Sequence, residues 1–301
     1  MAGFSRPLHL QAGPIDLLIG VDGEKTEALR ALEQARAAFA PVLPELAEEL
    51  PTIRLEVVES DPPRTFRSPV AQRMSNSTHE FREHFITPMA AVAGAVADHM
   101  LAAIIDGRRL ERAYVNNGGD IALHLAPGRS MRLGIVGDIG DPALDGHVEI
   151  DSESGVRGIA TSGWRGRSFS LGIADSVTVL ATSAAMADAA ATLIANAVDI
   201  NDPAVVRRPA AELDPDSDLG TRPVTVDVGR LSATNIATAL AAGTARAESF
   251  IRSKRIIAAA LRLQGDTRLV TAGSHGFPGH PPRIGTDGPG ATSRENRSDG
   301  E

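Results

Sequence analysis

The sequence predicts an α+β protein, built from antiparallel strands packed on buried alanine-rich helices. Residues 88–105 and 184–198 are runs of Ala, Val, Ile, Leu, Met and Gly with almost no charge. Each would expose a wide apolar surface unless other elements covered it. Short apolar runs on both sides of these helices are joined by Asn117-Gly118 and Gln264-Gly265, the dipeptides of hairpin turns. With 301 residues, of which 43% are hydrophobic and 23% charged, the chain can bury a substantial core. Residues 1–272 read as one domain, with two intimately fused halves as the alternative, and residues 273–301, rich in Gly, Pro, Ser and Arg, as a disordered tail.

Taken in order, residues 15–21 form an opening strand that Asp22-Gly23 closes. Leu29, Leu32, Ala35 and Phe39 recur at helical spacing, and Pro41 ends that helix. Residues 53–59 read as a further strand. Residues 60–85 carry Pro62-Pro63 and a polar run over 73–80, so they read as a loop with at most a short helix; it holds His79, His84, Arg73 and Arg82. Thr87 can cap a helix opening at Pro88, where the missing N–H costs nothing, and that helix runs to Ile105. Strands follow at 113–115, 121–125 and 131–136, and an acidic connector at 137–146. Residues 201–223, punctuated by Pro203, Pro209, Pro215 and Pro223, form a surface excursion, either lid or linker. A strand at 224–228, a helix capped by Ser232 over 233–252, and a hairpin of 255–263 with 267–271 complete the domain.

Charge and composition exclude several functions. A net charge of −8, no long basic run, and a single Trp and Tyr argue against nucleic acid as a partner. With no cysteine there are no disulfides, no thiolate catalysis and no zinc–thiolate or iron–sulfur ligation. Residues 1–11 lack an apolar leader core, and no stretch reaches the roughly 18 uninterrupted apolar residues of a membrane span. The expectation is a cytoplasmic protein without membrane contact that takes a small-molecule ligand, with a homo-oligomer as an option.

Residues 155–199 read as strand, tight loop, strand and helix, and they concentrate the candidate chemistry. Thr161-Ser162-Gly163 places two hydroxyls and a flexible backbone in the loop. Asp188 and Thr192 lie four apart on an alanine helix, so their oxygens project from one face. A carboxylate and a hydroxyl suit a hard cation such as magnesium; the alternative is that both decorate a solvent face. Gly94 and Asp98 share a helical face, so either a ligand approaches the Asp98 carboxylate or the carboxylate caps a neighbouring segment. In Asn116-Asn117-Gly118-Gly119-Asp120 the Asn-Gly pair is first a hairpin turn, while paired glycines can also aim backbone N–H groups at an anion.

Three blocks in this order resemble the ApbE family, flavin transferases that move FMN from FAD onto a protein threonine. They are residues 93–98, residues 116–121, and the set of 160–163, 175–179 and 187–192. The resemblance implies a fold of two α/β halves and a flavin or nucleotide-type ligand, FAD or FMN, bound with Mg2+. It further implies that Asp188 and Thr192 hold the cation, that Asp98, Asn117, Gly118, Gly119 and Asp120 contact the ligand, and that Ser162 and Gly163 offer backbone N–H groups to a phosphate. Asp98, Asp120, Asp188 and Thr192 are thus expected to converge in one cleft. Two departures bear on activity: Ala93 stands where the transferases have lysine, and their His-Ile-Asp-Pro-x-Thr-Gly segment is missing between Gly163 and Asp175. A transferase is one expectation; a non-catalytic binding protein, or an enzyme of different chemistry on the same fold, is the alternative.

Overall fold

The computed structural model describes residues 4, 6–136, 144–271 and 283–285. Strands β1 (Leu8–Ala12) and β2 (Ile15–Gly23) precede helices α1 (Lys25–Phe39), α2 (Val42–Ile53) and α3 (Pro69–His79). A 3-10 turn at Pro88–Ala91 leads into α4 (Val92–Ile105), followed by β3 (Leu110–Asn117), β4 (Asp120–Leu125), β5 (Ser130–Val136) and β6 (Leu144–Asp151). Next come β7 (Gly158–Ser162), β8 (Ser176–Ala181) and α5 (Ala184–Ala197). A ribbon of β9 (Val205–Pro209), α6 (Ala210–Leu213) and β10 (Pro223–Val228) precedes α7 (Ala233–Arg252), β11 (Ala258–Leu263), β12 (Asp266–Thr271) and β13 (Arg283–Gly285).

Eight strands in the order β1-β2-β3-β4-β7-β8-β11-β12 make one sheet, antiparallel at every junction. Strand β8 is buried at all positions, as a strand covered on both faces must be. Val177 and Val179 enter the larger core with Ile19, Ala95, Met100 and Leu261, and that core includes the inner faces of α1, α4, α5 and α7. Leu180 joins a smaller core with Leu123, Met131, Val148 and Ile150, where the three-stranded sheet β13-β6-β5 contributes. The α+β class and the burial of both alanine-rich helices are as the sequence predicts. Helix α4 packs on α1, α3, α5, β3 and β4. The segment Pro88–Ile105 is also apolar and long enough to span a membrane by length and composition, and its role as a core helix accounts for that composition.

Several expectations are corrected. Residues 53–59 form no strand: Ile53 ends α2, where it is buried with Val42 and Leu46 on one face. Beyond it the guanidinium of Arg64 donates to the carbonyls of Leu55 (2.9 Å) and Glu56 (2.6 Å), so a side chain replaces the ladder that a strand would need. Residues 69–79, expected to be mostly loop, form three turns of helix. Pro69 opens α3 and the Glu49 carboxylate accepts from the N–H groups of Arg67 and Ser68, both at 2.9 Å. Its polar residues bury by bonding to backbone, Thr78 Oγ1 donating to Met74 O at 2.9 Å and Ser75 Oγ to Arg64 O at 3.0 Å. Thr87 makes no capping bond; its hydroxyl donates to Asp218 instead. The excursion at 201–223 contains β9, paired with β10, and β1 is a strand without a sequence expectation. Within the segment read as a tail, Arg283–Gly285 pairs with β6. The rest of that segment, and residues 137–143 of the acidic connector, lie outside the described residues.

Candidate functional site

Helix α5 carries Asp188, Thr192 and Asn196 at successive four-residue steps, and all three line one cleft of about 400 Å³, a volume in the range of small-molecule sites. The helix is seated by α4. A Cβ on Gly94 would overlap the carbonyl of Ala184, so only glycine allows the two backbones this close. At that crossing Gly94 N–H donates to Asp188 Oδ2 at 3.0 Å. One turn along α4, Asp98 accepts from the N–H groups of Ala184 and Ala185, both at 2.9 Å. Asp98 is therefore a cap on the first turn of α5, where orphan N–H groups and the helix dipole favour a carboxylate, and it does not line the cleft. Burial raises its pKa, and these two N–H groups oppose the rise.

The β3–β4 hairpin supplies the facing wall. Gly118 and Gly119 adopt φ +64° and +114°, left-handed geometry that glycine accepts, and the turn brings Asn117 opposite Asp120. Asp120 and Gly118 line the cleft. Gly119 does not, and its N–H donates to Asn116 Oδ1 at 2.8 Å, so the expected pair of anion-facing N–H groups is not formed. Asn117 lines the cleft but is also a brace, its amide donating to Ala93 O at 3.1 Å and its carbonyl oxygen accepting from Asp16 N–H at 3.4 Å. Thr161 N–H donates to Asp120 Oδ1 at 3.3 Å, tying the carboxyl to β7. Ser162 and Gly163 follow on the same wall.

Asp120 and Asp188 meet as hydrogen-bonded neighbours. Burial raises the pKa of Asp120 to about 7, against the N–H of Thr161, the Asp188 hydrogen bond and the charge of Arg167. Burial and then the Asp120 charge hold Asp188 well above the ordinary carboxyl range. Two carboxyls so placed cannot both ionise without a counter-charge. With the Thr192 hydroxyl they form a set of hard oxygen donors suited to magnesium. Among the described residues no group of three or more His, Cys, Asp or Glu gathers to form a full cage. Any cation held here would therefore need water or ligand oxygens for its remaining positions.

Other walls went unread in the sequence. Residues 214–219, at the tip of the β9–β10 ribbon, close one side, fixed by the Thr87–Asp218 hydrogen bond and by Arg54–Asp216 at 4.0 Å. Arg222 stacks 3.3 Å above the Phe85 ring. Gly166, Arg167, Ser168 and Phe169 form another wall. Asn196 could have been found by extending the Asp188–Thr192 spacing one more step, and Arg167 by asking which cation stands in the shortened loop after Gly163. No lysine or histidine occurs among the described residues lining the cleft.

An antiparallel α+β fold with a facing carboxyl pair beside a Gly-Gly hairpin defines the class. The chain belongs to the family described as AbpE bacteria, whose model matches residues 2–269, in line with the resemblance carried by the three sequence blocks. It is 34% identical over 171 residues to a UPF0280 protein of Methanothrix thermoacetophila, covering 56% of this chain and 69% of that protein. It is 43% identical over 143 residues to a UPF0280 protein of Methanopyrus kandleri, covering 46% and 54%, so the chain spans about half the length of this second relative. Among solved structures it is similar to the apo flavinyl transferase ApbE of Pseudomonas stutzeri, at 14% identity over 90% of this chain and 95% of that one, with a TM-score of 0.47. The ApbE protein of Thermotoga maritima gives 13%, 88%, 96% and 0.42.

Proposed function

We propose that the cleft binds a flavin or nucleotide-type ligand, FAD or FMN in the first instance, together with a divalent cation, magnesium by its chemistry. The observation that carries this reading is the Asp120–Asp188 pair facing the cleft beside Thr192. Asp188 is oriented by Gly94 N–H and Asp120 by Thr161 N–H, so the chain holds both carboxyls in place before any ligand arrives. A bound cation would polarise phosphate oxygens as a Lewis acid. Ser162 and Gly163 would lie along the phosphates, and the ribbon tip would shield them from bulk water. Family membership supports the flavin assignment, and the ligand pool would be cytoplasmic.

A second reading, binding without flavin transfer, is favoured by one observation: no lysine or histidine lines the cleft among the described residues. The group that would move a proton during transfer is then missing. Under this reading, FAD with magnesium and an acceptor protein leaves no covalent flavin on the acceptor; robust flavinylation would refute it.

Thermal unfolding tests the first reading, using FAD, FMN and ADP with magnesium or EDTA. A ligand at 100 times its Kd should add about 2.7 kcal/mol, and only with the cation present. Asp188→Asn removes a charge while keeping shape, so it should fold and lose the cation-dependent part of the shift. Equal stabilisation in EDTA, or none in magnesium, would remove the cation from the account.

A further inference from the structure

Arg167 stands out among the charged groups of the cleft. The lining carries the carboxyls of Asp120, Asp188, Asp214, Asp216 and Asp218, against two cations, Arg54 and Arg167. Arg54 is engaged by Asp216. Arg167 is exposed, and among the described residues none makes an ion pair or hydrogen bond with its guanidinium. Its Nη2 lies over Gly118, where a Cβ would overlap it, and its charge is felt by Asp120. The absence of a side chain at Gly118 thus lets a guanidinium fork rest at the edge of the carboxyl pair. An arginine left unpaired beside acids it could have joined is available for a ligand.

We infer that Arg167 is the oxyanion clamp of this cleft and commits it to phosphorylated ligands. Resting on the reading of the cleft given above, the guanidinium grips a phosphate of the ligand from the Gly118 side, and a cation held by Asp120 and Asp188 would supply the cleft's second positive charge. A cleft with this acid excess repels a bare phosphate, so both positive groups are needed. Arginine suits the role because its planar fork donates two parallel hydrogen bonds to phosphate, which lysine cannot do. The ligand class is therefore a phosphate ester such as FMN or a nucleoside diphosphate, and the unphosphorylated heterocycle is discriminated against.

Calorimetric titration in magnesium tests this with FMN, ADP, inorganic pyrophosphate and riboflavin on the wild type, Arg167→Ala and Arg167→Lys, alongside Mn2+ titrated alone. Losing a charge-assisted contact should weaken FMN and ADP about 10- to 100-fold in Arg167→Ala, with partial recovery in Arg167→Lys. Riboflavin should not distinguish the variants, and Mn2+ alone should bind Arg167→Ala as well as or better than wild type, because a neighbouring positive charge is gone. The pyrophosphate arm shows whether the clamp serves free phosphate groups or only nucleotides; a loss for pyrophosphate matching that for FMN assigns it to phosphate itself. Unchanged FMN and ADP affinity in Arg167→Ala overturns the clamp alone. Parallel loss of Mn2+ affinity and melting temperature would mark a structural prop and overturn it too, whereas a wild type that binds no phosphate ligand in magnesium brings down the cleft reading itself.

Discussion

At the scale of single residues, the three carboxyls singled out in the sequence divide into Asp98, which holds the fold, and Asp120 and Asp188, which face the cleft. Asp188 with Thr192 was legible because helical spacing alone puts their oxygens on one line, and the Asn-Gly turn located Asp120. Asp98 was legible only as a carboxylate that something approaches closely; Gly94 announces the approach, but the partner is the backbone of α5. No local pattern separates a ligand from a helix end, since both require the same small neighbour. The Asp120–Asp188 pair makes stability depend on pH. Asp120 has its pKa raised from 3.8 to about 7, so the native state keeps a proton that the unfolded chain releases. This contribution is complete below about pH 4 and is lost as pH rises through about 7. In EDTA the melting temperature of the wild type should therefore fall across that window more than that of Asp120→Asn, which keeps only the buried Asp188 carboxyl of the pair. Magnesium should offset the fall most at the upper end, where it displaces the fewest protons; parallel curves for wild type and variant would contradict this.

At the scale of elements, α4 and α5 brace each other reciprocally: Asp98 of α4 accepts from the backbone of α5, and Asp188 of α5 accepts from the backbone of α4. Gly94→Ala places a methyl group against the carbonyl of Ala184, a backbone atom that cannot swing aside. Overpacking of this kind costs about 1–3 kcal/mol, read as a lower urea midpoint. Because the same shift moves the donor to Asp188, affinity for magnesium in the folded protein should fall as well. Stability and cation affinity both equal to wild type would show that the helices have room to separate. Both helices were legible from their uncharged alanine content, and the hairpins from their turn residues. Helix α3 was hidden because Ser75, Ser77 and Thr78 are buried polar residues; Ser75 finds Arg64 O only in the folded chain, and Thr78 turns back on Met74 O of its own helix. The strand expected at 53–59 failed because alternation in Ile53, Leu55 and Val57 is also what a helix end followed by an extended segment produces.

At the scale of the whole molecule, which strands neighbour one another was not legible. The junctions β4–β7 and β8–β11 join segments far apart in sequence, and their register is set by burial on two faces at once, including a small sheet that contributes to the second core. The segment holding β9 and α6 was likewise read only as an excursion, lid or linker, because its acidic tip finds Thr87 and Arg54 only in the folded chain. That tip has a consequence in time. A ligand enclosed behind residues 214–219 leaves no faster than the tip releases, so the Thr87–Asp218 and Arg54–Asp216 contacts act on residence rather than on affinity. Thr87→Val should raise the association and dissociation rate constants of a fluorescent nucleotide together in stopped flow, with Kd nearly unchanged, and a change confined to dissociation would mean that Thr87 touches the ligand. Salt weakens the exposed ion pair, so exchange of a bound ligand should quicken as ionic strength rises, and an exchange rate indifferent to salt would separate the tip from the exit path.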